Sequence, residues 1–162
     1  MNLYLIRHAD AVALGDNGIT EDADRPLSKL GETQADMIGK TLQKKKVAFD
    51  KIVTSPLVRA RQTSDLLLKS CNGQVPEVHV CADLVPEAKP RKLAKYLRKL
   101  GGAEVAVVGH LPHIAHWAGW LLGAKKAHIE MAKAGIALIT CGSGPRKGLG
   151  VLQWLVTPEW FE

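Results

Sequence analysis

The sequence predicts an α/β fold, a three-layer α/β/α sandwich with a mostly parallel central sheet. The first reason is that short apolar segments rich in strand-forming residues alternate with longer segments of helical periodicity. The second is that the last two apolar segments, 136–141 and 151–156, are joined by a turn-rich stretch with no helix between them. That pair predicts an antiparallel hairpin, so the sheet is expected to be mixed.

The N-terminal part is expected to hold a strand, a long connection and a helix. The apolar strand at 3–6 begins almost at the first residue, as a buried strand. The polar, Gly- and Asp-rich connection after it is longer than the roughly 12 to 15 residues at which a structureless loop becomes unusual, and such loops are often functional. Ser28 then predicts the start of a helix that runs to about Lys45.

The remaining elements continue the alternation of strand and helix. Ser55 followed by Pro56 is typical of a helix start, because a capping hydroxyl precedes a proline at the first helical position. Pro90 opens a later helix, and the two glycines at 101–102 end it. The expected elements are a strand at 51–54, a helix at 57–69, a strand at 78–81, the helix opened by Pro90, a strand at 105–108 and a helix that ends at about 122.

Composition bounds the class of protein. At 162 residues, 46% of them hydrophobic, the chain is long enough for one well-buried core and short for two, so we expect a single domain over 1–162. No stretch approaches the roughly 20 apolar residues of a membrane span, and Met1 leads directly into the first strand. We expect a soluble, cytoplasmic protein with no membrane partner, and we take it to be a monomer. The three widely spaced cysteines are expected to be reduced, and no metal or other cofactor is predicted.

The charge of the chain is uneven. A net charge of +6 and a sequence pI near 9.3 favour acidic partners. A basic run at 89–99 has helical spacing, with Leu93, Leu97 and Leu100 on its inner face. A solvated helix face is the first interpretation of this run, a docking surface for an acidic protein the second and a nucleic-acid patch the third. Because Tyr96 is the one aromatic residue interleaved with it, we expect no nucleic-acid partner.

Cationic side chains and imidazoles follow three of the predicted strands where each strand ends. Arg7 and His8 come directly after the first strand. Arg59 lies in the first turn of the helix after the second strand, and His110 follows the strand at 105–108. Because the carboxyl ends of parallel strands meet at one edge of a sheet, we expect these four side chains to converge there. Cations can hold a phosphoryl group that an imidazole attacks, and helix N-termini at the same edge add positive charge.

Three motifs carry a resemblance to a known family. They are L-I-R-H-A-D-A at 5–11, S-P-L-V-R-A-R-Q-T at 55–63 and V-V-G-H-L-P at 107–112. Together they resemble the motifs of the histidine phosphatase superfamily, also called phosphoglycerate mutase-like. R-P-L-S at 25–28, followed by Gly31, resembles in particular the SixA-type phosphohistidine phosphatases.

The resemblance implies both a reaction and a set of site residues. It implies that His8 is the nucleophile and becomes transiently phosphorylated. It further implies that Arg7, Arg59 and His110 form the phosphate pocket and that Arg25 is an additional phosphate contact. The implied activity is a metal-independent phosphatase for phosphohistidine on a partner protein, such as a phosphotransfer or phosphocarrier domain in signal transduction. Always-charged arginines beside a neutral imidazole suit in-line transfer of a phosphoryl group.

The chain departs from the family pattern at two points. The family usually has Gly after the Arg-His pair, where this chain has Ala9, one methyl group larger. Many members also place a Glu as proton donor in the loop after the third strand, where the candidates here are Asp83 and Glu87. We favour Asp83 because Asp83 followed by Leu84 best matches the acidic-Leu pair of SixA-like chains. The alternative is that both are plain loop carboxylates.

Two other functions remain open at this stage. One is a phosphatase of small phosphate monoesters, and the other is a noncatalytic module that binds phosphoproteins or other anions. The chain has little room for the long insertions that roof the site in the family's mutases and larger phosphatases, and an open site suits a bulky protein substrate. The intact His8 argues against the binding module, because binding alone needs no nucleophile at that position.

Overall fold

A six-stranded mixed sheet forms the centre of the computed structural model, which describes residues 1–71, 73, 75–85, 88–124 and 126–161. Its strand order is β3-β2-β4-β1-β5-β6. The first four strands run parallel, while β5 is antiparallel to β1 and β6 to β5, so the predicted mixed sheet and terminal hairpin are confirmed. The strands are β1 Asn2–Arg7, β2 Lys51–Thr54, β3 Glu77–Val80, β4 Glu104–Gly109, β5 Ile136–Cys141 and β6 Gly150–Val156.

In the described part of the chain, four α-helices cover the two faces of the sheet, which confirms the predicted three layers. Because successive side chains of a strand point to opposite faces, β1 packs against both layers. Its Tyr4 and Ile6 share a core with α1 and α2, whereas Leu3 and Leu5 share a core with α3 and α4. The helices are α1 Lys29–Lys44, α2 Val58–Lys69, α3 Pro90–Leu100 and α4 His113–Leu121. Among the described residues no helix is long and apolar enough to cross a membrane.

Most helix ends lie where the sequence predicts them, with one correction. Ser28 caps α1 by accepting a hydrogen bond from the Gly31 backbone N–H at 3.1 Å, and Gly101, at φ 72°, ends α3. The predicted capped start at Ser55 is wrong, because α2 begins at Val58. The Ser55 hydroxyl accepts from the Leu57 backbone N–H at 3.4 Å and is also hydrogen-bonded to Nε2 of His110 at 2.8 Å.

The long connection between β1 and α1 is ordered by local structure. It contains two single-turn 3-10 helices, Asp16–Gly18 and Asp22–Asp24, and a β-bridge joins Ala11 to Leu27 at its two ends. At the far end of the sheet, β3 spans Glu77–Val80, one residue earlier than predicted. The backbone N–H of the following residue, Cys81, still donates to the Thr54 carbonyl at 2.8 Å, so the pairing with β2 continues beyond the strand.

The first turn of α1 packs directly on the backbone that follows β1, and this contact requires glycine. A Cβ added to Gly31 would lie 1.9 Å from the carbonyl oxygen of Asp10. Since that oxygen belongs to the backbone, neither side can yield without moving the helix start.

We expect Gly31→Ala to lower the free energy of unfolding by about 3 kcal/mol, despite the better helix propensity of alanine. Urea unfolding followed by circular dichroism measures the change. Gly142→Ala is the matched control, because nothing lies within 4 Å of a Cβ at that position. A Gly31→Ala protein as stable as the control would show that the close contact does not constrain the fold.

Candidate active site

The sheet register brings three chain segments together at the carboxyl edge of the sheet. Arg7 pairs with Gly109 and Thr54 with Val108, so the residues that follow each strand are neighbours. The His8 backbone N–H donates to the Gly109 carbonyl at 2.9 Å. The rings of His8 and His110 lie 4.9 Å apart between centroids, at 51° to each other. The expected convergence of the two imidazoles at this edge is therefore observed.

Hydrogen bonding fixes the tautomer of His8. Its Nδ1 lies 2.7 Å from the carbonyl oxygen of Ala9, and a carbonyl can only accept. Nδ1 therefore carries the proton, and in the neutral ring Nε2 carries a lone pair. The Nε–H of Arg59 points to this lone pair at 3.3 Å. Nε2 is thus the nitrogen of His8 that carries a free lone pair, and it faces a permanent cation.

Two buried nitrogens at the site, one in the Arg7 guanidinium and one in the His110 ring, have no hydrogen-bond partner among the described residues. Arg7 donates from one terminal nitrogen to the carbonyl of Met131 at 2.8 Å, but its Nε makes no hydrogen bond. His110 is 2% exposed and meets Ser55 through Nε2, while its Nδ1 has no partner. A buried polar nitrogen without a partner is costly, and an oxyanion would supply acceptors for both of these atoms.

An acidic side chain that sequence reasoning missed holds Arg59 in place. Asp22 accepts from Arg59 twice, through its backbone oxygen at 2.6 Å and its carboxylate at 2.9 Å. The same carboxylate accepts from Arg25 at 2.8 Å, and Arg25 also donates to the Val12 carbonyl. Arg25 is therefore linked to the site through the carboxylate that it shares with Arg59. The signal in the sequence was the i,i+3 pair of opposite charges in D-A-D-R.

Two helices fix the backbone immediately after His8. The Ala9 N–H donates to Thr63 of α2 at 3.2 Å, and the Asp10 N–H donates to Gln34 of α1 at 3.0 Å. Ser28 donates to the Asp10 carboxylate, which also pairs with Lys133. Ala9 is fully buried and does not have a positive φ, so the fold accommodates its methyl group where the family usually has glycine. Thr63, which also donates to the Arg59 carbonyl at 2.7 Å, thereby holds both segments.

The segment before β5 lies against Arg7 and His8 and gave no signal in the sequence. The Gly135 carbonyl accepts from the Arg7 backbone N–H at 3.1 Å, and the Ala134 N–H donates to the His8 carbonyl at 3.2 Å. Ala134 has φ 59°, a left-handed conformation that costs a non-glycine residue about 1 kcal/mol. The strained residue is thus the one whose N–H holds the His8 carbonyl.

Asp83, the favoured proton donor, lies in the turn that follows β3. Asp83 is half-buried in a 3-10 turn after β3, and the neighbouring Leu84 packs near Gly109 at the carboxyl edge of the sheet. No hydrogen bond among the described residues joins the Asp83 carboxylate to the two histidines. Glu87 lies outside the described residues.

Burial and the surrounding cations keep both histidines neutral. Burial lowers the pKa of His8 to about 4, and the positive charges of Arg59, Arg7 and Lys133 also lower it. The hydrogen bond to the Ala9 carbonyl raises the pKa and offsets part of this effect. Burial, His8 and Arg59 lower the pKa of His110 to about 3, partly offset by the charge of Asp22. His8 Nε2 is therefore unprotonated throughout the physiological range of pH.

No metal cluster is found in the described part of the chain. No group of three or more His, Cys, Asp or Glu side chains there is arranged to hold an ion. The cysteines are free thiols, as expected, and two of the three are buried. The described residues place an unprotonated imidazole nitrogen beside arginine side chains at the sheet edge, an arrangement suited to attack on a bound phosphoryl group.

The architecture and the strand order are those of a phosphoglycerate mutase-like α/β protein. The chain superposes on the structure of the protein histidine phosphatase SixA complexed with tungstate with a TM-score of 0.87, over 100% of both chains at 24% identity. The chain belongs to the histidine phosphatase superfamily, branch 1, whose family model matches residues 3–85. The predicted family is therefore confirmed.

Sequence relatives extend the similarity over nearly the whole chain. Phosphohistidine phosphatase SixA of Escherichia coli is 27% identical over 98% of this chain and 94% of its own length. An uncharacterized protein of Picosynechococcus is 32% identical over 99% of both chains. Family membership and the homology to SixA support a phosphatase activity.

The lowered pKa values predict that neither site histidine titrates near neutral pH. We expect the ring nitrogen NMR signals of His8 and His110 to stay unchanged from pH 8 to 5.5 in the folded protein, and to titrate near the ordinary value of about 6.5 in urea. Since the unfolded state then binds more protons, stability should fall as pH drops below about 6.5. A titration of His8 near pH 6.5 in the folded protein would contradict the buried, neutral imidazole.

Proposed function

We propose that this protein is a metal-independent phosphatase that removes the phosphoryl group from a phosphohistidine on a partner protein. The observation that carries the proposal is the fixed tautomer of His8, whose unprotonated Nε2 faces Arg59 at 3.3 Å. A noncatalytic anion-binding site has no use for a buried imidazole held with its lone pair toward the pocket. The partner class is a phosphotransfer or phosphocarrier domain, by analogy with the relative named phosphohistidine phosphatase SixA.

The proposed reaction has two displacements. In the first, His8 Nε2 attacks phosphorus, the bond from phosphorus to the partner's imidazole breaks, and that imidazole takes a proton from the proton donor, for which Asp83 is the candidate. In the second, water attacks the phosphorylated His8, releasing inorganic phosphate and restoring the neutral ring. Arg7 and Arg59 neutralise charge on the non-bridging oxygens throughout, while the neutral His110 donates a hydrogen bond to one of them. Arg25 assists the same pocket as a further phosphate contact beside Asp22.

Oxyanion binding is supported by two independent observations. Arg7 Nε and His110 Nδ1 are buried without hydrogen-bond partners among the described residues, and Nδ1 is a donor when the Ser55 hydroxyl donates to Nε2. The SixA structure that shares this fold was solved with tungstate, an oxyanion. The charge needed to bind a phosphoryl group is supplied by permanent cations, so the proposed reaction involves no metal ion.

Replacement of the proposed nucleophile tests the mechanism. We expect His8→Ala to lower turnover of a phosphohistidine peptide and of p-nitrophenyl phosphate by about 10⁴-fold or more, because the attacking atom is lost while the cations remain. Tungstate should still bind the folded variant. The assays are run in excess EDTA, where the wild type is expected to keep its activity.

Trapping of the intermediate completes this test. Brief reaction with ³²P-labelled substrate should leave an acid-labile, base-stable label on the wild type and none on His8→Ala. His79→Ala serves as the control, because His79 lies on the edge strand β3, paired with Glu77. Hydrolysis by His8→Ala at the wild-type rate would remove His8 from the mechanism, and activity dependent on a divalent ion would refute metal independence.

The proton donor discriminates between substrate classes. An alkyl phosphate releases an alkoxide that must be protonated as the bond breaks, whereas phosphohistidine releases a much weaker base. If Asp83 is the donor, Asp83→Asn should slow hydrolysis of an alkyl phosphate by about 100-fold while slowing phosphohistidine hydrolysis by less than about fivefold. Steady-state kinetics on both substrates measures the ratio.

Two further variants make the assignment specific. Asp65→Asn, on an exposed position of α2, controls for the loss of a carboxylate as such. Glu87→Gln tests the other candidate that the sequence offers. A selective loss in Glu87→Gln would move the role to that residue, and equal losses on both substrates in Asp83→Asn would show that Asp83 does not protonate the leaving group.

A further inference from the structure

A groove along α4 connects the candidate active site to a basic surface on α3. It consists of three cavities of about 450, 250 and 370 Å³. The first and second cavities share His116 and Ala127, and the second and third share Trp120 and Lys147. Because adjoining cavities share walls, they form one surface channel, which we call the α4 groove.

The near end of the α4 groove is lined by residues that adjoin the candidate active site in the chain. Leu111 and Pro112, which line the first cavity, directly follow His110 in the chain. Glu130 lines the same cavity, and its charge raises the pKa of Arg7 against the effect of burial. The next residue, Met131, accepts a hydrogen bond from Arg7. Both walls of the first cavity are therefore formed by chain segments that also contribute to the candidate active site.

The far end is strongly cationic. Five exposed basic side chains surround the half-buried Trp120 in the third cavity. Three come from one face of α3 and two from the β5–β6 turn, and a hydrogen bond from Arg98 to the Pro145 carbonyl at 2.7 Å joins the two segments. They are Arg91, Lys95, Arg98, Arg146 and Lys147.

No carboxylate of the residues that the structure describes neutralises this end of the groove. Among the described residues, none of the five cations belongs to an ion pair with a carboxylate, and Glu130 at the near end is the one acidic residue that lines any of the three cavities. Like charges held together without partners repel one another and favour an anionic occupant. The β5–β6 turn thus adds two further cations to the basic face of α3 and leaves that face exposed.

We propose that the α4 groove binds an acidic segment of the phosphorylated protein substrate while its phosphohistidine occupies the candidate active site. This inference rests on the proposed function. Nucleic acid is the less suitable polyanion, because Trp120 is the one aromatic residue that lines the groove among the described residues, whereas single strands bind on several stacked aromatic platforms.

The length of α4 sets the spacing between phosphohistidine and acidic residues. From Pro112 to Trp120 the helix rises by about 12 Å at 1.5 Å per residue. An extended peptide covers that distance in about four residues at 3.3 Å each. The carboxylates of the substrate should therefore begin about four residues from the phosphohistidine and continue over the next four to six.

Two synthetic phosphohistidine peptides test the proposal. One carries six Glu residues beginning at the fourth position after the phosphohistidine, and the other carries six Gln there. We expect the wild type to show about tenfold higher kcat/KM for the acidic peptide at low ionic strength, through KM, and a smaller ratio at 0.5 M salt because exposed charges are screened. Equal kcat/KM values for the two peptides would overturn the proposal.

Variants locate the effect. Arg91→Glu/Lys95→Glu, and separately Arg146→Glu/Lys147→Glu, should remove the preference for the acidic peptide and leave kcat/KM for p-nitrophenyl phosphate unchanged. Lys92→Glu/Lys99→Glu is the matched control, because it makes the same change in charge on exposed positions of α3 that do not line the groove. An equal loss in the control would overturn the groove as the binding surface.

A binding measurement separates this inference from the proposed function. Fluorescence anisotropy follows an unphosphorylated, labelled Glu peptide, with single-stranded DNA of equal charge as a competitor. Binding that the groove variants abolish supports the groove even if neither phosphohistidine peptide is hydrolysed, in which case the proposed function fails alone. No binding of the Glu peptide overturns the inference, and tighter binding of DNA that the same variants abolish assigns the groove to nucleic acid instead.

Discussion

The hydrogen bond from His8 Nδ1 to the carbonyl oxygen of Ala9 is the interaction on which the candidate site depends. An imidazole has two nitrogens, and only a fixed acceptor at one of them leaves the lone pair at the other. That acceptor is in turn fixed, because the Ala9 N–H is held by Thr63 and the next residue packs on the first turn of α1. The tautomer of one side chain is thus maintained by two helices on the same face of the sheet.

The placement of negative charge follows from the same requirement. Buried cations need counter-charges, but a carboxylate in direct contact with His8 would favour its protonation. The structure places Asp22 behind Arg59 and pairs Asp10 with Lys133, so neither carboxylate is hydrogen-bonded to the imidazole. Asp22 also joins Arg25 to the site, which ties the long connection after β1 to α2. Arg59 is neutralised from outside, and the side of it that faces His8 stays positive.

Topology links this pocket to the surface proposed for the partner. β4 ends at Gly109, and α4 then leads from His110 along the side of the molecule toward α3. The β5–β6 turn brings Arg146 and Lys147 to the basic face of α3. The connection from β4 into α4 therefore places His110 beside His8 and also leads to a cationic surface about one helix length from the two histidines. A protein substrate can use both, whereas a small phosphate ester reaches only the pocket.

The sequence by itself determined the α/β class, the terminal hairpin, the family and the convergence of His8, Arg59 and His110, because strand ends and helix starts depend on local residue types. It could not determine that α2 begins at Val58 or that Ser55 contacts His110, because His110 lies 55 residues away in the chain. Asp22, Thr63 and the segment before β5 contact the site over separations of 37, 54 and more than 120 residues, beyond any local pattern. Those contacts, and the contact between α3 and the β5–β6 turn, form only when elements that are distant in the chain pack together.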